Sequence, residues 1–528
     1  MRPTCLAIVL AALATGSLAS SASATGPGGW NHLGNGGSAG IASLNAQVSA
    51  LNADKPGTLF VGGKFTNAGG IPAADRIAAW NGSSWSALGT TPLGNGSVFA
   101  IAYYGGKVYA GGNFVNAGGD ADADYLAVFD AGTWKPFCNA IGPAFNLQVL
   151  ALQVIGTKLY VGGSFQNGAG LPTADYLIEC DLITGVPSST VDADGDFAGP
   201  VYALTADSNG TLYAGGGFTH LDNITGANYV ASYDGAWHAL GGVSSFVRAI
   251  TAKGTDVYVS SDALNIGGLA NADHVAKWNG AGWSAMGSNT AGNNGWFPAS
   301  TYIYGMATSG SLLFATGSFQ NANGNPVADV VAWFDGTNWR PIGSNGTGDG
   351  PWIGEGSALE IFKGQLYAGG NFTSAGGDTM AKFAASHSLR LPDALIAPST
   401  GGYAGDNVYS PTAAGESKTI TVARGSSKYF AVLVQNDGLV PASFKIKATG
   451  AASGYTVTYI DYSNNANITT AVRDGTFSTP SLAPGASFAM KMVVKLSASA
   501  AAAGSFLVTA SSTVGTPKDA VKGIVHAN

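Results

Sequence analysis

The sequence predicts an all-β chain: a seven-bladed β-propeller closed by its own N-terminal strand, followed by an immunoglobulin-like β-sandwich. Three observations carry that prediction. First, a strand-like apolar run leading into Gly-Gly-x-Phe, as in LFVGGKFTNAGG from Leu59 to Gly70, recurs with starts at Leu59, Val108, Leu159, Leu212, Val257, Leu313 and Leu366. Second, each full copy holds four short β-type runs, the content of one propeller blade. Third, the seventh copy stops after its third run, and a matching fourth run stands alone near the N-terminus.

Taken in chain order, residues 1–24 read as a secretory signal, with one Arg, an apolar stretch from Cys5 to Ala14 and the small-residue site Ala22-Ser23-Ala24. That stretch is shorter than the roughly 20 residues a membrane-spanning helix needs. No span is expected. Residues 25–387 form the predicted propeller. It opens on GWNHLG, Gly29 to Gly34, the orphan fourth strand, and Trp30 is expected to pair with the last blade around Met380 to Ala384. Closure of this kind removes the exposed edges that a linear array of sheets would present.

Within a copy the four runs are an apolar stretch such as Gln47 to Asn52 or Val98 to Tyr103, the Gly-Gly strand, a run ending in an aromatic such as Ile77 to Trp80, and a Trp-x-x-Leu-Gly run such as Trp85 to Gly89. Asn81-Gly82, Asp234-Gly235, Asn279-Gly280 and Asp335-Gly336 separate the last two and predict type I′ hairpins. Gly62-Gly63 and its equivalents permit close backbone approach. Phe65, Phe114, Phe165, Phe218, Phe319 and Phe372 follow at a constant offset and are expected in the core. Copy three lacks the Trp, and copy five carries Ser260-Ser261-Asp262-Ala263 in place of Gly-Gly-x-Phe.

Residues 388–405, rich in Pro, Gly and Ser, read as a linker, and 406–528 as the sandwich. Its expected strands are Thr419 to Val422, Lys428 to Val434, Ser443 to Ala448, Tyr455 to Ile460, Phe488 to Leu496 and Phe506 to Ala510.

The glycine pair, the aromatic-Asp or aromatic-Asn step and the Trp at hairpin distance, best seen in LYAGG…VFDAGTW ending at Trp134, resemble the kelch-type blade. The variant with Phe and Ala-Gly-Gly is similar to repeats of secreted bacterial propellers and of Rax2-like fungal cell-surface proteins. The resemblance covers residues 29 to 385 and implies the fold; it implies no particular activity. The C-terminal part resembles the accessory sandwiches of bacterial exoproteins.

Composition narrows the function. Only 10% of residues are charged and the formal net charge is −7, so no basic face exists to neutralise a phosphate backbone. Nucleic acid is excluded as a partner. With the signal removed, Cys138 and Cys180 remain, an even pair for an oxidising compartment and a disulfide candidate. On the face shared by the inter-blade connections and the second-to-third-strand connections, the longest loops are Gly287 to Ser300, Gly343 to Ser357 and Pro187 to Pro200. Trp296, Phe297 and Trp352 there are candidates to stack on a sugar ring, with Asn294 and Asp349 taking hydroxyls; the alternative is that these rings fold back over the blades.

Asp192, Asp194 and Asp196 alternate around a glycine as a calcium ion would require, without the downstream Glu of a full EF-hand loop. Asp120, Asp122 and Asp124 repeat the spacing, but Asp124 aligns with Asp75, Asp175, Asp273 and Asp329 and reads as a turn residue. Asp349 and Glu355 are the catalytic candidates, as an acid/base pair. The six histidines are scattered. These features point to a secreted or cell-surface monomer that binds a glycan or cell-surface protein through propeller loops without catalysis. A polysaccharide lyase or glycoside hydrolase, and a purely structural surface protein, are the alternatives.

Overall fold

The computed structural model describes residues 29–38, 40–139, 144–189, 197–221, 224–292, 294–345, 348–352, 354–406, 408–450, 452–513 and 517–528. The fold is all-β. Seven four-stranded antiparallel sheets precede residue 389, and none of the sheets closes on itself. The first sheet pairs Val48–Asn52, Leu59–Gly63, Ile77–Trp80 and Trp85–Ala87 in order. The next five repeat that plan, with opening strands Val98–Tyr104, Val149–Ile155, Val201–Ala206, Val247–Lys253 and Ile303–Ser309. In the seventh, Gly354–Phe362, Gln365–Phe372 and Ala384–Ser388 are completed by Trp30–His32. Trp30 lies opposite His387, so the partner strand begins where the expected stretch, Met380 to Ala384, ends. Opening strands of successive sheets pack together, and that of the seventh packs on that of the first.

A residue-level lock repeats at these contacts. Each opening strand carries a bulge near its start, between Val48 and Ala50 in the first sheet, between Gly356 and Ala358 in the seventh and at the equivalent place in the others. The residue just before the bulge faces the first residue of the glycine pair, or its replacement, in the preceding sheet's second strand. A Cβ on Gly62 would stand 2.7 Å from Val98 Cγ1. Gly111 meets Val149, Gly162 meets Val201, Gly215 meets Val247, and Gly369 of the seventh sheet meets Val48 of the first. Where copy six carries Thr316 in place of the glycine, the facing residue is Gly356, so the bulk has changed sides. Copy five keeps the same register with serines. Ser260 donates to the Ile303 carbonyl at 2.9 Å and Ser261 to the Ser245 carbonyl at 3.0 Å. The departure from Gly-Gly therefore costs no distortion.

Closing strands are tied by their tryptophans. Each faces the aromatic that ends the third strand, as in Trp80 with Trp85 at 5.2 Å and Phe334 with Trp339 at 5.4 Å. Indole N–H groups also donate backwards to the preceding sheet: Trp283 to Gly241 O, Trp339 to Met286 O, Trp30 to Ile342 O, and Trp85 to Leu33 O. The segment from Trp30 to Leu33 thus binds the sixth sheet through its donor and the first through its acceptor. The third sheet lacks both members of the aromatic pair, having Pro187 opposite Cys180. Cys138 stands four residues after Trp134, where other copies have glycine, and has the positive φ of 60° such glycines adopt. Cys138 and Cys180 are joined in a disulfide with Cα atoms 5.6 Å apart. A covalent tie sits where the tryptophan is missing.

The Asx-Gly hairpins depart from expectation. Only their glycines have positive φ, so the turns are not type I′. Trp80 pairs with Trp85 across a four-residue loop in which Asn81 Oδ1 accepts the Ser83 and Ser84 N–H groups, each at 2.9 Å. Asp335 does the same for Thr337 and Asn338. The Asx side-chain oxygen takes the inner N–H donors of these turns, while the Asx N–H itself bonds a backbone carbonyl, as Asn81 does Ser84 O at 3.2 Å.

The stretch expected as a linker, 388–405, contains the strand Pro392–Pro398, buried along nearly all its length and paired with Ser427–Asn436. Its prolines stand at the strand ends, where a missing N–H is tolerated. This sheet continues through Ser487–Leu496 to Tyr455–Asp461. A second sheet orders Ser417–Val422, Lys518–Ala527, Ala503–Ser512, Phe444–Thr449 and Phe477–Ser478. Alternating burial in Ser427–Asn436 and Ser487–Leu496 sends Phe430, Val432, Met490 and Met492 into a core shared by both sheets.

Candidate functional site

The rings expected to meet a ligand are inside. Trp296 is 6% exposed, Phe297 4% and Trp352 3%. Trp352 stacks on Phe372 at 4.7 Å and meets Trp30 edge-on at 4.9 Å. Phe297 packs at 5.0 Å on Phe319 and 4.9 Å on Trp339. The cause is a plug that every copy has: Leu44, Leu93, Phe145, Phe197, Val243, Phe297 and Trp352 each precede an opening strand by a few residues, and all are buried. Phe145 packs on Phe165 and Phe197 on Phe218 in the same way. In the two long loops the plug is merely larger, and the loop folds back on the preceding sheet, as Gly295 N–H does onto Asp273 at 3.2 Å. Burial of apolar area decides this over sugar contact.

Asn294 and Asp349 are exposed. Asp349 lies beside Asp329, whose carboxyl is raised above its usual range by burial and by Asp349. Asp329 is itself the turn residue that accepts the Asn321 N–H. Asp75, Asp124 and Asp175 do the same for Asn67, Asn116 and Asn167, each at 2.7 Å. Glu355 is the second residue of the opening strand of the seventh sheet, opposite Asn371 and exposed. Asp349 therefore has a structural aspartate for its neighbour, and Glu355 is fixed in a backbone ladder. Asp192, Asp194 and Asp196 lie outside the described residues. Among the described residues no group of three or more His, Cys, Asp or Glu side chains is arranged to hold a metal ion.

A different set of side chains does come together in the open. The residues before and at the bulge of each opening strand form two rows, both running through all seven sheets. The bulge row reads Ser49, Phe99, Leu150, Tyr202, Arg248, Tyr304 and Ser357, all half-buried. In sheets four to six it carries Tyr202, Arg248 and Tyr304, with Phe246 and Tyr302, each 42% exposed, in the row before. Arg248 lies 4.8 Å from the Tyr302 ring centre and 5.6 Å from that of Tyr304. Its Nε and Nη2 both donate to Asp262, at 2.6 Å each, which holds the guanidinium charged. Asp262 stands in the stretch that replaces Gly-Gly-x-Phe in copy five. Phe246 meets Tyr202 at 6.3 Å and Tyr229 at 6.1 Å. Reading the residues on either side of the first core position of each opening run, Val247 or Ile303 for example, down the copies finds this set from sequence.

A concavity of about 540 Å³ lies elsewhere, between the sixth and seventh sheets and the C-terminal part, lined by Arg340, His387, Tyr409 and Asp437 among others. Burial holds His387 neutral, its pKa lowered to about 4. No helix among the described residues is long and apolar enough to cross a membrane.

No family model matches the chain. No curated protein matches it in sequence. Among solved structures, a FixG-related protein from Vibrio parahaemolyticus is similar over 20% of this chain and 81% of its own, at 8% identity and TM-score 0.15. A family 123 glycoside hydrolase from Clostridium perfringens is similar over 26% of this chain and only 27% of its own length, at 6% identity and TM-score 0.19. Domains 4 and 5 of the S-layer protein SbsC are similar over 32% of this chain and 67% of theirs, at 14% identity and TM-score 0.15. Likenesses at these scores carry no argument about what this chain does.

Proposed function

We propose that the seven sheets are the blades of a closed kelch-type propeller, that residues 406–528 with the strand Pro392–Pro398 form an immunoglobulin-like sandwich, and that the protein is a secreted or cell-surface binding protein without catalysis. The observation that supports binding is the set of exposed Phe246 and Tyr302 with half-buried Tyr202, Arg248 and Tyr304 at one end of the opening strands. In a propeller these strands surround the central channel, and this end carries the inter-blade and second-to-third-strand connections. Aromatic residues left in water beside hydrogen-bonding groups are the usual makeup of a recognition surface. A glycan or another surface component is the ligand class. The disulfide is consistent with an oxidising compartment.

The burial of Trp296 and Trp352 favours a second reading, a purely structural surface protein, because it removes the loop rings as ligand contacts. A glycan array combined with reducing-end and unsaturated-uronate assays separates the readings. Saturable binding without turnover is expected. Turnover at enzyme-like rates would overturn the non-catalytic reading, and absence of any binding would leave the structural one.

A further inference from the structure

We infer that the channel mouth selects an uncharged sugar, with Phe246 and Tyr302 as stacking faces and the Arg248–Asp262 pair as its hydrogen-bonding centre; this rests on the binding function proposed above. The argument begins with charge. Arg248 on an aromatic rim would ordinarily attract an anion, but both of its described side-chain bonds go to Asp262, so the pair presents no net charge. An acidic ligand would have to compete with a bidentate carboxylate already in place.

What the pair still offers is hydrogen bonding of both kinds. A guanidinium has five N–H groups and the two bonds to Asp262 use two of them, while carboxylate oxygens accept more than one bond each. Donors and acceptors fixed side by side in one plane match the vicinal hydroxyls of a pyranose, each of which donates and accepts. Apolar faces flank the pair. Tyr302 and Phe246 are each 42% exposed, and the two tyrosines Tyr302 and Tyr304 lie stacked at 6.3 Å with an interplanar angle of 17°, the guanidinium carbon within 6 Å of both. Sugar C–H faces bury apolar area on such rings while the hydroxyls turn to the polar pair.

The set also has a cause in sequence. Asp262 stands at the variable position of the Gly-Gly-x-Phe register, where the other copies carry Lys64, Asn113, Ser164, Gly217, Ser318 and Asn371, and Arg248, its partner, occupies the bulge in the same copy, where the other six carry Ser, Phe, Leu or Tyr. The scaffold does not require either residue. Ser260 and Ser261 already satisfy the altered strand by bonding neighbouring carbonyls.

The test is binding of the full chain to two oligosaccharide panels, neutral gluco-, manno- and galacto-oligosaccharides and acidic oligogalacturonates and sulfated glycans, read by calorimetry at low and high salt. The expected result is binding to a neutral member with little salt dependence, weakened at least tenfold by Tyr302→Ala and by Phe246→Ala. Arg248→Lys should weaken it similarly, since an ammonium cannot keep the bidentate plane. Melting temperatures of the variants identify any that fail to fold, and Tyr302→Phe, which keeps the ring, should retain most of the affinity. Salt-sensitive binding of acidic glycans alone would overturn this inference and leave the binding function standing. Neutral binding unmoved by Tyr302→Ala, Phe246→Ala and Arg248→Lys would overturn the site. Binding to neither panel at millimolar concentration would overturn this inference and, with it, glycan as the ligand class.

Discussion

At the scale of single residues the sheets are held apart at fixed spacing by a glycine facing a branched side chain, and one contact has its bulk inverted. Thr316 faces Gly356, and Thr316 Oγ1 also donates to Val330 O at 2.7 Å. Gly356→Val should therefore overpack and destabilise by about 1–3 kcal/mol. Thr316→Gly combined with Gly356→Val recreates the arrangement of Gly111 with Val149, and the pair should be less destabilising than Gly356→Val alone. Chemical denaturation of the three variants gives the coupling directly. Much at this scale was legible in the sequence: the Phe65 series is buried throughout, and the Asp75 series caps its turns. What was not legible was the solvent side. Polar loops around Trp296 and Trp352 left open whether these rings meet a ligand or fold back, and did not reveal that each occupies a plug position that short loops fill with Leu44 or Leu93, because periodicity reports strands and not loop packing.

At the scale of elements, the third and seventh sheets show how a missing piece is replaced. Replacing both Cys138 and Cys180 with serine removes a crosslink spanning 42 residues, and in the chain-entropy account the loss is about 4 kcal/mol. Reductant should lower the melting temperature of the parent and leave the double variant unmoved. Trp30→Ala should cost about 3–5 kcal/mol, since the ring is fully buried and its donor is bonded. An exposed change such as Ile41→Ala is the control, expected within about 0.5 kcal/mol of the parent. The strand Pro392–Pro398 was hidden in the sequence because its flanking prolines and glycines read as connector, while Ala394, Leu395 and Ile396 are what the fold uses. The C-terminal strand Lys518–Ala527 was likewise unread; it pairs in parallel with Ser417–Val422, a partner that local pattern does not reveal.

At the scale of the whole molecule, two buried groups set opposite pH limits. Glu416 lies beside Asp519 and Asp393, all fully buried, with Tyr409 near the same carboxylates. Burial and these neighbours push Glu416 up to about 9 from its ordinary 4.5. The folded chain then keeps a proton that the unfolded chain releases, so this stability is complete at low pH and lost as pH climbs through that window. His387, lowered to about 4 from 6.5, works the other way, and its contribution disappears as pH falls between those values. Melting temperature should thus decline on both sides of mildly acidic pH. Glu416→Gln should flatten the alkaline limb, and His387→Phe, which puts back the aromatic that other sheets have there, should flatten the acid limb. The strand Trp30–His32 carries one more consequence, which concerns time. Its partner, Ala384–Ser388, is the last part of the repeat region to be synthesised, so the earliest structured residues must wait, unpaired, until every other sheet exists. Bringing the two ends together carries the largest loop-closure entropy in the repeat region. Docking of Trp30 should accordingly be the slowest phase of refolding, and stopped-flow fluorescence should lose that phase in Trp30→Phe while the earlier phases persist.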